Sequence, residues 1–68
     1  MIYDYIASYC SKKNITVTEL ERDAGLGKGS IGKWKDGVSQ PSLPKLQALS
    51  RTIGIALTTL VKEWESKN

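Results

Sequence analysis

The sequence predicts an all-α domain, a compact bundle of five short helices. Three observations predict it. Apolar residues recur at helical spacing along most of the 68-residue chain. Runs of alternating apolar and polar residues, the mark of strands, are absent. Gly, Asn and Pro fall between the apolar segments, where short helices stop. A chain of this length is a single domain, residues 1–68, and buries only about 60% of its unfolded surface, so its core is small.

The first helix is expected over residues 2–12. Ile2, Tyr5, Ile6, Tyr9 and Cys10 form one face, and Asn14, which tolerates a left-handed backbone, stops it. Thr16-Val17-Thr18-Glu19 is a capping box that opens the second helix. That helix runs through Leu20 and Ala24 and stops at Gly25. A third helix fits Lys28 to Asp36, with Gly27 as its N-cap and Gly37 at its end. Residues 38–44 carry two prolines and two serines and read as a loop. Ser42 caps the fourth helix, and Pro44 is tolerated in its first turn. Leu43, Leu46, Leu49, Ser50 and Ile53 face inward, and Gly54 ends the helix. Leu57, Leu60, Val61 and Trp64 define the fifth helix, whose Lys62, Glu63, Glu65 and Lys67 face solvent.

Composition excludes several functions. The chain has no His and one Cys, so a Ser-His-Asp triad, a Cys-His dyad and a His-ligated or Cys-only zinc site cannot be built from it. No phosphate loop, nucleophile–base pair or metal-ligand spacing is present. Neither an enzyme nor a cofactor is expected. Glu19, Glu21 and Asp23 are explained by capping and solubility. Cys10 reads as a half-buried filler. A single thiol, an acidic N-terminus and no apolar stretch of about 18 residues fit a cytoplasmic protein. The net charge of +3 permits nucleic-acid binding without requiring it.

The third helix carries the informative asymmetry. At about 100° per residue, Ile31 and Trp34 fall on one side, near Ser30 and Lys35. Lys28, Gly29, Gly32, Lys33 and Asp36 share the other, within an arc of about 140°. One face is an apolar anchor; the other is basic and nearly free of bulk. Three lysines in eight residues are more often a solvated face than a binding site. Gly29 and Gly32, however, each cost a helix about 0.5–1 kcal/mol relative to Ala. Close approach to a partner's backbone is the functional explanation for them; loose selection on a poorly ordered helix is the bland one. The positive end of the helix dipole, near Lys28, would add to the attraction for phosphate.

Two short helices joined by a Gly-containing turn, residues 16–36, form a helix-turn-helix layout. The stretch Ile15–Gly37 resembles the phage-repressor/Cro-type (XRE-like) helix-turn-helix family. Leu20, Gly25, Ile31 and Trp34 carry the resemblance. So do Gly37 followed by Pro41-Ser42-Leu43, and the Ile53-Gly54-Ile55 ending. It spans about Ile6 to Val61. The resemblance implies binding of double-stranded DNA as a homodimer on paired half-sites, the third helix entering the major groove. It puts Lys28, Gly29, Gly32 and Lys33 at base-facing positions, with Lys28 and Lys33 able to donate to guanine O6 and N7. It puts Ser30, Thr16 and Val17 where phosphates are usually touched. Lys35, Ser39 and Gln40 could do the same.

Four positions depart from the family pattern. Val17 replaces a common Gln. Glu21 stands where a small Ala usually packs, so its long side chain is expected to turn outward or distort the packing. Positions 29 and 32 are glycines with no side chain to bond a base. Ala56 replaces a Ser or Thr cap on the last helix. The family match implies a small phage or mobile-element regulator: a repressor or Cro-like component of a genetic switch, or an antitoxin-like module. Self-association would have to use the bundle itself. Of the helix-1 tyrosines, Tyr9 and part of Tyr5 are expected to be buried, with Tyr3 facing out. Val17, Glu21, Gly29 and Gly32 also motivate an alternative. An antirepressor or co-repressor would keep the fold but form a hetero-complex with a second repressor through the same surface.

Overall fold

The structure, a computed structural model, describes residues 2–65. Five helices follow one another: α1 (Ile2–Lys13), α2 (Val17–Asp23), α3 (Gly32–Lys35), α4 (Leu43–Ile53) and α5 (Leu57–Glu65). No strand occurs among the described residues. The predicted all-α, five-helix class is therefore the observed one. No helix of the described residues is long and apolar enough to cross a membrane.

α1 is the centre of the packing. It contacts α2, α3 and α5, while α4 packs on α5. Its buried residues are Ile2, Ile6 and Cys10, the i, i+4, i+8 stripe of one helix face. They meet Leu20 from α2, Ile31 and Trp34 from the third segment, Leu46 and Leu49 from α4, and Leu60 from α5. Tyr3, Tyr5 and Tyr9 all lie half-buried against this cluster. Tyr3 does not face out as expected: the Lys35 ammonium lies 5.9 Å from its ring centroid. Cys10 is fully buried rather than half-buried. Burial raises its thiol pKa, and the Glu19 carboxylate pushes it the same way.

Three helices close by the same device. After α1, Asn14 sits at φ +61; its N–H donates to the Ser11 carbonyl at 3.2 Å, and that of Ile15 to Cys10 at 3.0 Å. After α2, the N–H of Gly25 donates to Arg22 at 3.1 Å, and that of Leu26 to Glu21 at 2.8 Å. After α3, the N–H of Gly37 donates to Trp34 and that of Val38 to Lys33. Each pairing is the Schellman pattern, in which one left-handed residue satisfies carbonyls the helix leaves open. α4 ends at left-handed Gly54, and the Ser50 hydroxyl donates to the Ile55 carbonyl at 2.6 Å across the turn.

Four local expectations change. The third helix does not run from Lys28 to Asp36; only Gly32–Lys35 is α-helical. Leu43 does not face inward but is 51% exposed, because the helix N-terminus lifts it clear of the core that Leu46 and Leu49 fill. Ser42 opens α4 without a side-chain bond to the backbone. On α5, Lys62 and Glu65 are exposed and Glu63 is half-buried; Lys67 lies outside the described residues.

Trp34 is the largest residue of the core. Its indole N–H is buried and finds no acceptor among the described residues. Trp34→Ala should therefore destabilise the domain by about 3–5 kcal/mol in denaturant unfolding. Trp34→Phe should cost much less, because the donor it removes has no partner. Cys10 should react with iodoacetamide far more slowly in the native chain at pH 8 than in denaturant. Equal rates would mean that α1 does not stay packed.

Candidate nucleic-acid interface

The Thr16 hydroxyl accepts the Glu19 N–H at 3.0 Å, and the Glu19 carboxylate accepts the Thr16 N–H at 2.8 Å. The predicted capping box is thus formed, and it fixes the start of α2. Val17 follows as a half-buried residue packed against the core, so the missing Gln is replaced by packing. The Thr16 oxygen is already engaged within the helix.

The middle of α2 departs from expectation. Glu21 neither turns outward nor disrupts the packing. It is 2% exposed, and its carboxylate spans to the next segment. Oε1 accepts the Gly29 N–H at 2.9 Å, and Oε2 accepts the Ile31 N–H at 2.8 Å. The backbone carbonyl of the same residue accepts Leu26 N–H. One residue therefore holds three amides of the connection between α2 and α3. A hydrogen bond to a charged group contributes about 1.5–3 kcal/mol, whereas a buried carboxylate without partners costs several kcal/mol. Two aligned donors are what allow this side chain to be buried.

This arrangement explains why the third helix is short. Ser30 N–H donates to the Gly27 carbonyl at 3.0 Å, closing a four-residue turn with Lys28 and Gly29 at its centre. Gly29 has φ +83, a backbone that L side chains rarely adopt. A helix cannot pass through that residue, so Gly27 is a turn residue and not an N-cap. Regular bonding resumes only with Lys33 N–H to Gly29 and Trp34 N–H to Ile31. The amides of residues 29, 30 and 31 all have partners within the chain. The expected offering of free helix amides and a dipole end to phosphate is therefore not present; Glu21 and Gly27 have taken those donors.

Side chains remain as the polar reach of this surface. Lys28 sits exposed at the tip of the turn, and Lys33 is exposed on α3. Neither is paired with an acid among the described residues. Ser30 and Gly32 are half-buried. A Cβ added at Gly32 would meet nothing within 4 Å, so no neighbour requires glycine there. Lys35 is exposed but leans to α1, over Tyr3. Ser39 is half-buried, and its N–H donates to the Lys33 carbonyl at 3.3 Å. The Gln40 side-chain oxygen accepts the Trp64 indole N–H at 3.3 Å, which ties the loop to α5. An open depression of about 320 Å³ lies beside the turn, lined by Thr18, Glu21, Arg22, Leu26 and Lys28.

Lys28, Gly29, Ser30, Gly32 and Lys33 are thus neighbours along one turn and one short helix. Lys35 belongs to the α1 side, and Gln40 to the α5 side. Glu21 is the residue that sequence reasoning missed. The available signal was an acid at a small-residue position, opposite a glycine-rich turn whose amides needed acceptors.

A family model described as helix-turn-helix matches residues 6–60, most of the chain. No curated protein and no solved structure gives a significant match. The matched span covers the capping box, the Gly25 turn, the Ile31 and Trp34 anchors and the start of α5. The chain belongs to the phage-repressor/Cro-type (XRE-like) helix-turn-helix family, a family of DNA-binding transcription regulators.

Proposed function

We propose that this chain is a sequence-specific repressor of Cro-like type, acting by occupying an operator and blocking polymerase. The observation that carries the reading is the pairing of a helix-turn-helix with two exposed, unpaired lysines. Lys28 and Lys33 stand on the turn and on α3, while Ile31 and Trp34 anchor that segment in the core. The nearest acid on α2, Glu21, is turned inward and presents no carboxylate to a phosphate. Lys28 and Lys33 read bases; Ser30, Thr16, Lys35, Ser39 and Gln40 approach phosphates; Gly29 and Gly32 keep the surface low. Val17 contributes through packing at the start of α2, where its backbone lies near the same strand. A homodimer on paired half-sites places two such surfaces about one helical turn apart.

The alternative, an antirepressor in a hetero-complex with a second repressor, draws on Val17, Glu21, Gly29 and Gly32. Glu21 and Gly29 have roles inside the domain, which leaves Val17 and Gly32 in its favour. Both readings place the molecule in a genetic switch of phage or mobile-element type.

The test is selection of duplexes from a random pool, followed by binding measurements at two salt concentrations. Sequence-dependent binding that weakens steeply with salt is expected. Lys33→Ala should cost about 1–3 kcal/mol on the selected site and relax preference at one base pair. Lys35→Ala should weaken all duplexes alike and lower the salt slope. Binding untouched by both changes would remove α3 from the interface. Gly32→Ala should stabilise the free domain by about 0.5–1 kcal/mol yet weaken DNA binding, since the added methyl meets only the groove. Unchanged affinity would mean that glycine at 32 serves no close approach.

A further inference from the structure

Residues 25–29 alternate glycine with other residues: Gly25, Leu26, Gly27, Lys28, Gly29. Two of these glycines, Gly25 and Gly29, have positive φ. Such a segment has more backbone freedom to lose than almost any other sequence. Among the described residues, the side-chain bonds that reach residues 25–31 both come from Glu21. They grip the amides on the C-terminal side of Lys28, and the Glu21 carbonyl grips Leu26 on its N-terminal side. Lys28 is therefore carried on a flexible strip clamped on both sides by one residue of α2.

We infer that Glu21 is a positioning residue for base reading, one that sets sequence discrimination and not overall attraction to DNA. The inference rests on the DNA-reading function proposed above. Phosphate attraction depends on the number of cations near the duplex and tolerates a moving backbone. Bidentate contact with a base edge requires a side chain held in one place. Releasing the clamp leaves Lys28 charged and near the DNA but no longer aimed. Glu21 acts through Lys28 and Ser30 and touches no DNA itself.

The experiment compares wild type, Glu21→Gln and Gly29→Ala on the selected duplex and on a scrambled duplex of the same length. Val61→Ala, a half-buried change in α5, serves as a control for lost stability. The Gln oxygen can accept one of the two amides, while its NH2 group confronts the other. Glu21→Gln should lower the ratio of selected to scrambled affinity about tenfold, the effect of losing one charge-assisted bond. Scrambled-duplex affinity and salt slope should stay unchanged. Amide exchange at Gly29 and Ile31 should quicken in the free variant. Gly29→Ala, which meets no neighbour but strains the backbone at φ +83, should give the same signature and decides the matter if Glu21→Gln does not fold. Val61→Ala should keep the full ratio once folded.

A folded Glu21→Gln with an unchanged ratio overturns the positioning role while leaving the DNA reading intact. Stronger binding to both duplexes with a steeper salt slope overturns it too, because Glu21 would then act as a plain negative charge. If the wild type itself does not discriminate, the DNA-reading function fails, and this inference fails with it.

Discussion

A carboxylate can be buried in a small protein only if donors are brought to it, and the Glu21 carboxylate organises its surroundings on those terms. Its two oxygens take the amides of Gly29 and Ile31. That fixes where the chain must turn after α2 and forces Gly29 into a left-handed backbone. It also sets where α3 can start and so keeps it to four residues. Ile31, carried by one of the bonded amides, enters the core fully buried, and Trp34 follows one turn later. The polar clamp and the apolar anchor are thus consecutive parts of one constraint, and α1 supplies the surface on which both rest.

Much of this molecule was legible because its local signals agree with one another. The Thr16–Glu19 box, the left-handed stop at Asn14, the Gly25 and Gly54 ends and the apolar stripes of α1 and α4 are each short-range features with a single physical solution. What could not be read was longer in range. A wheel drawn through residues 28–36 assumes a continuous helix, and nothing within those residues announces the bonds from Glu21, which lies eight and ten positions earlier. The same limit applies to Leu43. Its spacing matches an inward face, but whether the first turn of a helix reaches the core depends on where the preceding loop delivers it. The candidate lysines were visible as residues; their backbone was not. The wheel put Lys28 and Lys33 on one helical face, whereas one stands on a turn and the other on a helix.

The interface follows from how polar groups are allocated. In many anion sites the backbone offers amides and the side chains add charge. Here the amides of residues 29–31 are already bonded, and the Thr16 hydroxyl is committed to its own helix. Charge therefore rests on mobile lysine heads at a surface with little bulk. Such a surface is attracted to a polyanion through long-range forces, and its selectivity has to come from how rigidly the lysines are carried.

The two tryptophans give this small domain an optical consequence. Trp34 sits in the core with its indole N–H unbonded, while Trp64 is half-buried on α5 with its N–H on Gln40. One ring is in a dry apolar setting, and the other is beside a polar amide and near water. Their emission colours should differ without any label. Blue light would then monitor the packing of α3 on α1, and red light the seating of α5 against the loop. A partner that covered only one end of the molecule would change one colour and leave the other as an internal standard.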